Sequence, residues 1–137
     1  VNLYAATKQA FEDIAQYYIE TSNINFATIK LCDTFGPGDT RQKILNLWIE
    51  IAKTREILDM SRGEQIIDIS YIDNVVDGYM RMIDLISRDH KKKLDGQSFA
   101  IKSNQRMSLK KLAQLFEKVT HSKLRIKWGK KEYRLRD

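Results

Sequence analysis

The sequence predicts an α/β fold, and three observations carry that prediction. Stretches with apolar side chains at helical spacing alternate with short runs of β-branched and aromatic residues. Turn-forming residues stand at nearly every junction between them. The chain has 137 residues, 42% of them apolar and 31% charged, enough for a folded core and unlike a disordered composition.

Residues 3 to 21 read as the first helix, with Tyr4, Phe11, Ile14, Ala15, Tyr18 and Ile19 near helical spacing. Asn2 is placed to cap its start, and Ser22-Asn23 to end it. Phe26 to Cys32 follows as a short, largely buried strand. The only proline and two of the six glycines then fall in 33–39, which predicts a tight loop. A second helix, capped by Asp39 or Thr40, is expected over 42–53, with Ile44, Leu47, Trp48 and Ile51 on one face. Residues 57–60 make a short strand, 61–64 a turn, and 65–72 another strand.

Asp73 is expected to cap a third helix, whose Val75, Val76, Tyr79, Met80, Met82, Ile83 and Ile86 read as packing positions. His90-Lys91-Lys92-Lys93 is an exposed connection, and Gly96 turns the chain into a strand over 97–101. Ser108 caps a fourth helix through about Val119, with Leu109, Leu112, Leu115 and Phe116 inward. A last strand at 124–128 precedes a basic tail. There is no internal repeat.

Composition excludes several function classes. No apolar run approaches the roughly 18 residues that span a membrane. The single cysteine, Cys32, cannot form an intrachain disulfide, which points to a reducing, cytoplasmic setting. It reads as a small buried packing residue rather than a nucleophile, having no histidine nearby in sequence. His90 and His121 stand apart in lysine-rich surroundings, so no metal site is expected. Charge is uneven: residues 1–89 hold 9 Lys/Arg against 14 Asp/Glu (net −5), and residues 90–137 hold 15 against 4 (net +11). A basic C-terminal third admits a polyanion- or nucleic-acid-binding module, but the cations lie on several elements and no nucleic-acid motif accompanies them.

Tyr4 and Lys8 carry the sharpest chemical signal. Four residues apart on a helix, they project from one face. A fixed cation beside a phenol favours the phenolate and so suits it to proton transfer near neutral pH. The same spacing also suits an ordinary amphipathic helix, so the pair alone decides nothing.

Three motifs in order decide more: Y-A-A-T-K at 4–8, I-K-L-C-D-T-F-G-P-G-D at 29–39, and S-R-G-E-Q-I-I-D-I-S-Y-I-D-N-V-V at 61–76. Together they resemble the C-terminal part of the extended short-chain dehydrogenase/reductases, the NAD-dependent nucleotide-sugar epimerases, dehydratases and reductases. The 33–43 stretch is most similar to the branch acting on CDP- and dTDP-linked deoxysugars, including abequose and paratose synthases. The resemblance implies an extended Rossmann-type fold. Residues 1–40 would close its dinucleotide-binding part, and 41–137 would form most of a small mixed α/β substrate-binding region. It implies that Tyr4 is the acid/base and that Lys8 holds the nicotinamide ribose and tunes Tyr4. Tyr4, Cys32 and Thr34 would also border the nicotinamide of NAD or NADP, while Asp33, Lys43, Arg62 and Arg134 would meet a nucleotide-sugar substrate. It also implies a homodimer built on the first helix, and no membrane partner.

Departures from the family pattern matter as much. Many members carry Asn where Asp33 stands, and Arg where Ile67 stands, so Lys43, Arg62 or Arg134 must supply charge for a pyrophosphate. The glycine-rich dinucleotide fingerprint is absent from the sequence. With Val1 opening directly into a helix, the sequence is expected to be part of a longer protein. By itself it would then be an inert structural piece, with no turnover and little NAD(P) affinity.

Overall fold

The computed structural model describes residues 2–133. It divides into two compact units, Val1–Thr34 with Tyr71–Lys102, and Phe35–Ser70 with Ser103–Asp137. The chain therefore passes between units three times, within β2 (Asp33–Phe35), within β5 (Ile69–Tyr71), and after Lys102.

In the first unit, α1 runs Leu3–Thr21 as expected. Asn2 Oδ1 accepts from Ala5 N at 2.8 Å, satisfying one otherwise orphaned amide of the first turn. Ser22 closes the helix by donating its backbone N–H to Tyr18 O at 3.0 Å. β1 (Thr28–Leu31) pairs in parallel with β6 (Ser98–Ile101), Thr28 opposite Ser98 and Leu31 opposite Ile101. Such a pair needs a crossover, and α3 (Ile72–Arg88) lies within it. The start of β1 is pinned by Phe26 N donating to Asp95 Oδ1 and Gly96 N donating to Phe26 O, both at 2.9 Å.

Three expectations for this unit need correction. The strand is shorter than 26–32 and only half-buried at its start; Lys30 and Leu31 are exposed. Among the described residues β1 is paired along one edge only. Tyr71, not Asp73, is the N-cap of α3, and Asp73 sits in its first turn, where its charge complements the helix dipole instead. Finally, Met80 is 60% exposed, and Val76, Tyr79 and Ile83 are exposed with it. Val75 is buried and Met82 and Ile86 are half-buried, as expected. A Cβ on Gly78 would stand 2.4 Å from Ile101 Cδ1, so the helix approaches β6 closely at that glycine.

The second unit holds the core. α2 (Ile44–Thr54) and α4 (Leu109–Thr120) pack with two short sheets, β3 (Leu58–Met60) parallel to β8 (Ile126–Trp128), and β4 (Ile66–Ile67) antiparallel to β7 (Met107–Ser108). Trp48, fully buried, is surrounded by Ile51, Leu109, Leu112 and Ala113, with Phe116 edge-on at 5.6 Å. Ser108 caps α4 as predicted, accepting from Lys111 N at 3.2 Å. Leu115, expected inward, is 40% exposed.

The expected strand over 65–72 is broken at Asp68. Its side chain, 8% exposed, turns away from the ladder: Oδ1 accepts from Ser103 N at 2.8 Å, and Oδ2 lies 3.6 Å from Arg106 Nε. A buried carboxylate must be paired, and that need overrides continuous strand geometry here. β2 and β7 were not foreseen; both are too short to show a period.

Candidate functional site

Tyr4 and Lys8 lie one turn apart on α1, with Lys8 Nζ 5.6 Å from the centre of the Tyr4 ring. That is within the range of a cation–π contact. Tyr4 is 71% exposed, so its phenol is open to a ligand. The turn beneath is held by the Asn2 cap and by Thr7 Oγ1 donating to Tyr4 O at 2.9 Å. A phenol thus stands on a capped helix beside an ammonium group.

Beyond the exposed end of β1 come Cys32, Asp33 and Thr34. Cys32 is exposed, not the buried packing residue expected, because the strand it follows is uncovered at that end. Asp33 is exposed and Thr34 half-buried. These three share the first unit with Tyr4 and Lys8, whereas Lys43 and Arg62 belong to the second. Arg134 lies outside the described residues.

The loop leading to Lys43 is organised differently from the prediction. Asp39 does not cap α2. Its carboxylate chelates Arg41 instead, with Nε at 2.7 Å and Nη2 at 2.6 Å, and it accepts from Arg41 N at 3.1 Å. Lys43 therefore occupies the N-cap position, without a side-chain cap bond, and α2 begins two residues later than expected. Asn46 ties the loop back, its Nδ2 donating to Asp39 O at 2.6 Å and Arg41 O at 2.8 Å. An Asn in the first turn of a helix that follows an Asp-Thr-Arg loop was the available signal for this anchor. Arg62 sits exposed in the connection between β3 and β4, where Gly63 adopts φ +69°. Ile67, at the place of the family's arginine, packs against the Trp48 cluster and offers no charge.

The Arg41 hydrogen bonds hold the Asp39 carboxyl down to about 2, from an ordinary 3.8. The folded value lies below the unfolded one, so the loop gains stability above pH 3.8 and loses it as pH falls toward about 2. Replacing Arg41 with Ala should move the Asp39 midpoint up toward 3.8 in a carboxyl-carbon NMR titration. Equal midpoints in the two proteins would remove Arg41 as the cause.

Residues 1–95 match the profile of the NAD dependent epimerase/dehydratase family. The chain belongs to that family. Among curated epimerase/dehydratase relatives, the CDP-abequose synthase of Salmonella typhimurium strain LT2 is 32% identical over 82 residues, 59% of this chain and 27% of that protein. The CDP-abequose synthase of Salmonella muenchen is 26% identical over 129 residues, 92% of this chain and 42% of that protein. These relatives belong to the branch that residues 33–43 resemble. Among solved structures, the UDP-glucuronic acid 4-epimerase of Bacillus cereus, complexed with UDP-glucuronic acid and NAD, superposes with a TM-score of 0.77 at 20% identity. That alignment covers 93% of this chain and 39% of the Bacillus chain, and it shows the mixed α/β fold expected of the family. The chain thus spans well under half the length of each of these relatives.

Proposed function

We propose that this chain contributes the acid/base pair and much of the substrate-binding region of an NAD(P)-dependent nucleotide-sugar epimerase, dehydratase or reductase. The observation that carries this reading is the Tyr4–Lys8 pair, one turn apart on a capped helix inside the segment that matches the family. A bound nicotinamide would supply the hydride acceptor or donor for a sugar carbon. Tyr4 would take the proton of the hydroxyl on that carbon, and would return it in the reverse direction. Lys8 would hold the nicotinamide ribose when the cofactor is bound, beside the Tyr4 ring. Cys32 and Thr34 border the nicotinamide, while Asp33, Lys43, Arg62 and Arg134 contact the nucleotide sugar.

The chain's own residues fit only the ribose end of the cofactor. The sequence carries no G-x-G-x-x-G fingerprint of a dinucleotide phosphate cradle. The test is to incubate the full-length protein with CDP- and UDP-linked hexoses and either cofactor, following reduced-nicotinamide absorbance and the sugar product. Binding of the nucleotide sugar without hydride transfer under any pairing contradicts the proposal.

A homodimer through α1 goes with this reading, supported by the exposed Leu3, Phe11, Ile14 and Tyr17 on that helix. Sedentary monomers at every concentration in ultracentrifugation of the full-length protein would contradict it. A cytoplasmic location also goes with it, supported by the free thiol of Cys32. Among the described residues no helix is long and apolar enough to cross a membrane. Recovery of the protein in a secreted or membrane fraction would count against that location.

A further inference from the structure

We propose that Tyr133 is a positioning residue for Arg62, part of a clasp by which the segment after β8 presents that guanidinium to the substrate's phosphates. Arg62 lies in the connection between β3 and β4, and residues distant in sequence hold that connection on both sides of it. Ser61 O accepts from Gly129 N at 3.2 Å, and Gly63 O accepts from Lys110 N at 3.0 Å. Glu64 N donates to the Tyr133 hydroxyl at 3.1 Å, across 69 residues of sequence. Just before the connection, Met60 O accepts from both Lys130 N and Lys131 N, at 3.0 and 3.1 Å. A Cβ on Gly63 would come within 2.4 Å of Trp128 Cζ3, so the backbone there lies directly against the indole.

The segment reaches these partners by reversing its course at Gly129, whose φ of +77° suits glycine and strains any residue with a Cβ. The stem of Arg62 runs beside that reversal, with Cγ 3.9 Å from the Cβ position of Gly129. Connections between short strands are ordinarily among the more mobile parts of a fold. Here the residues around Arg62 are each bonded to a distant segment, while Arg62 itself is exposed. Its guanidinium forms no ion pair among the described residues. Bonds that fix the backbone on both sides of an unengaged arginine matter when that arginine meets a ligand. Ordering the chain beforehand lowers the entropy lost on binding, and a guanidinium that pairs with phosphate oxygens depends on its direction of approach. The inference rests on the reading of Arg62 as a contact to the nucleotide sugar, and adds which residues set its position. Among the hydrogen bonds of the clasp, that of Tyr133 alone uses a side-chain atom, so a substitution removes it and leaves the backbone intact.

Tyr133→Phe in the full-length protein keeps the ring and removes the accepting oxygen. It should raise the KM for the nucleotide sugar about three- to tenfold and leave kcat nearly unchanged. Arg62→Ala should raise KM further still, and combining the two should add nothing to the arginine variant, because Tyr133 acts through Arg62. A role in fold stability alone would leave KM where it is in Tyr133→Phe. Amide hydrogen exchange supplies a readout that needs no turnover: Glu64 should exchange about tenfold faster in Tyr133→Phe. In an active enzyme, unchanged KM in either single variant, effects that multiply in the double variant, or equal Glu64 exchange would overturn the proposal alone. A full-length protein that turns over no nucleotide sugar defeats the nucleotide-sugar reading instead, and this inference with it.

Discussion

Tyr4→Phe in the full-length protein should lower kcat by about 10²- to 10⁴-fold while leaving KM nearly unchanged. The substitution is clean for structural reasons. Tyr4 is 71% exposed, so no buried packing depends on its hydroxyl. The local hydrogen bonds of the first turn use the Tyr4 carbonyl and the Asn2 side chain, not the phenol. The aromatic face over which Lys8 Nζ stands at 5.6 Å survives in phenylalanine. What is removed is the proton-transferring oxygen alone. Steady-state kinetics with the nucleotide-sugar substrate measure the result, and substrate affinity by calorimetry separates chemistry from binding. A variant with wild-type kcat would take Tyr4 out of the acid/base role. Lys8→Met, by contrast, should raise the KM for the cofactor as well as lower kcat, because Lys8 is assigned to the ribose too.

Trp48→Ala should destabilise the second unit by about 3–5 kcal/mol, a large part of the stability of an ordinary domain. Trp48 has no exposed surface and stands where α2, α4 and the two short sheets converge. Its removal leaves Ile51, Leu112 and Phe116 facing a cavity that short strands cannot close by collapsing. Trp48 Nε1 has no hydrogen-bond partner among the described residues, so Trp48→Phe forfeits volume without breaking a bond. That variant should cost distinctly less than Trp48→Ala. Urea titrations with unchanged m-values read both changes. Equal midpoints for the alanine variant and the parent would show that the core is not centred on this residue.

Elements with strong local signals were legible from the sequence. The helix at Leu3–Thr21, with its Asn2 cap, and the helix at Leu109–Thr120, with its Ser108 cap, follow from side-chain period and capping chemistry. The motifs around Tyr4, Asp33 and Asp68 were sufficient to point to the family that residues 1–95 match. What went astray depended on contacts that side-chain period and capping preference do not encode. Asp39 looked like a helix cap until Arg41 took its carboxylate. Cys32 looked buried because its strand was apolar, yet burial depends on what lies over a strand, and the end of β1 is uncovered.

By itself, then, the sequence determined the helix positions, the alternating α/β class and the pairing of a phenol with an ammonium on one helical face. Each of these is set by interactions within a few residues along the chain. Only the tertiary structure decided which positions of α3 are exposed, that Asp68 breaks a strand to hold Ser103, and that Lys110 stands beside the Trp128 ring. Those outcomes depend on contacts spanning some tens of residues, such as the 35 between Asp68 and Ser103. Local propensity carries no information about such contacts, and packing selects them only once the chain has closed on itself.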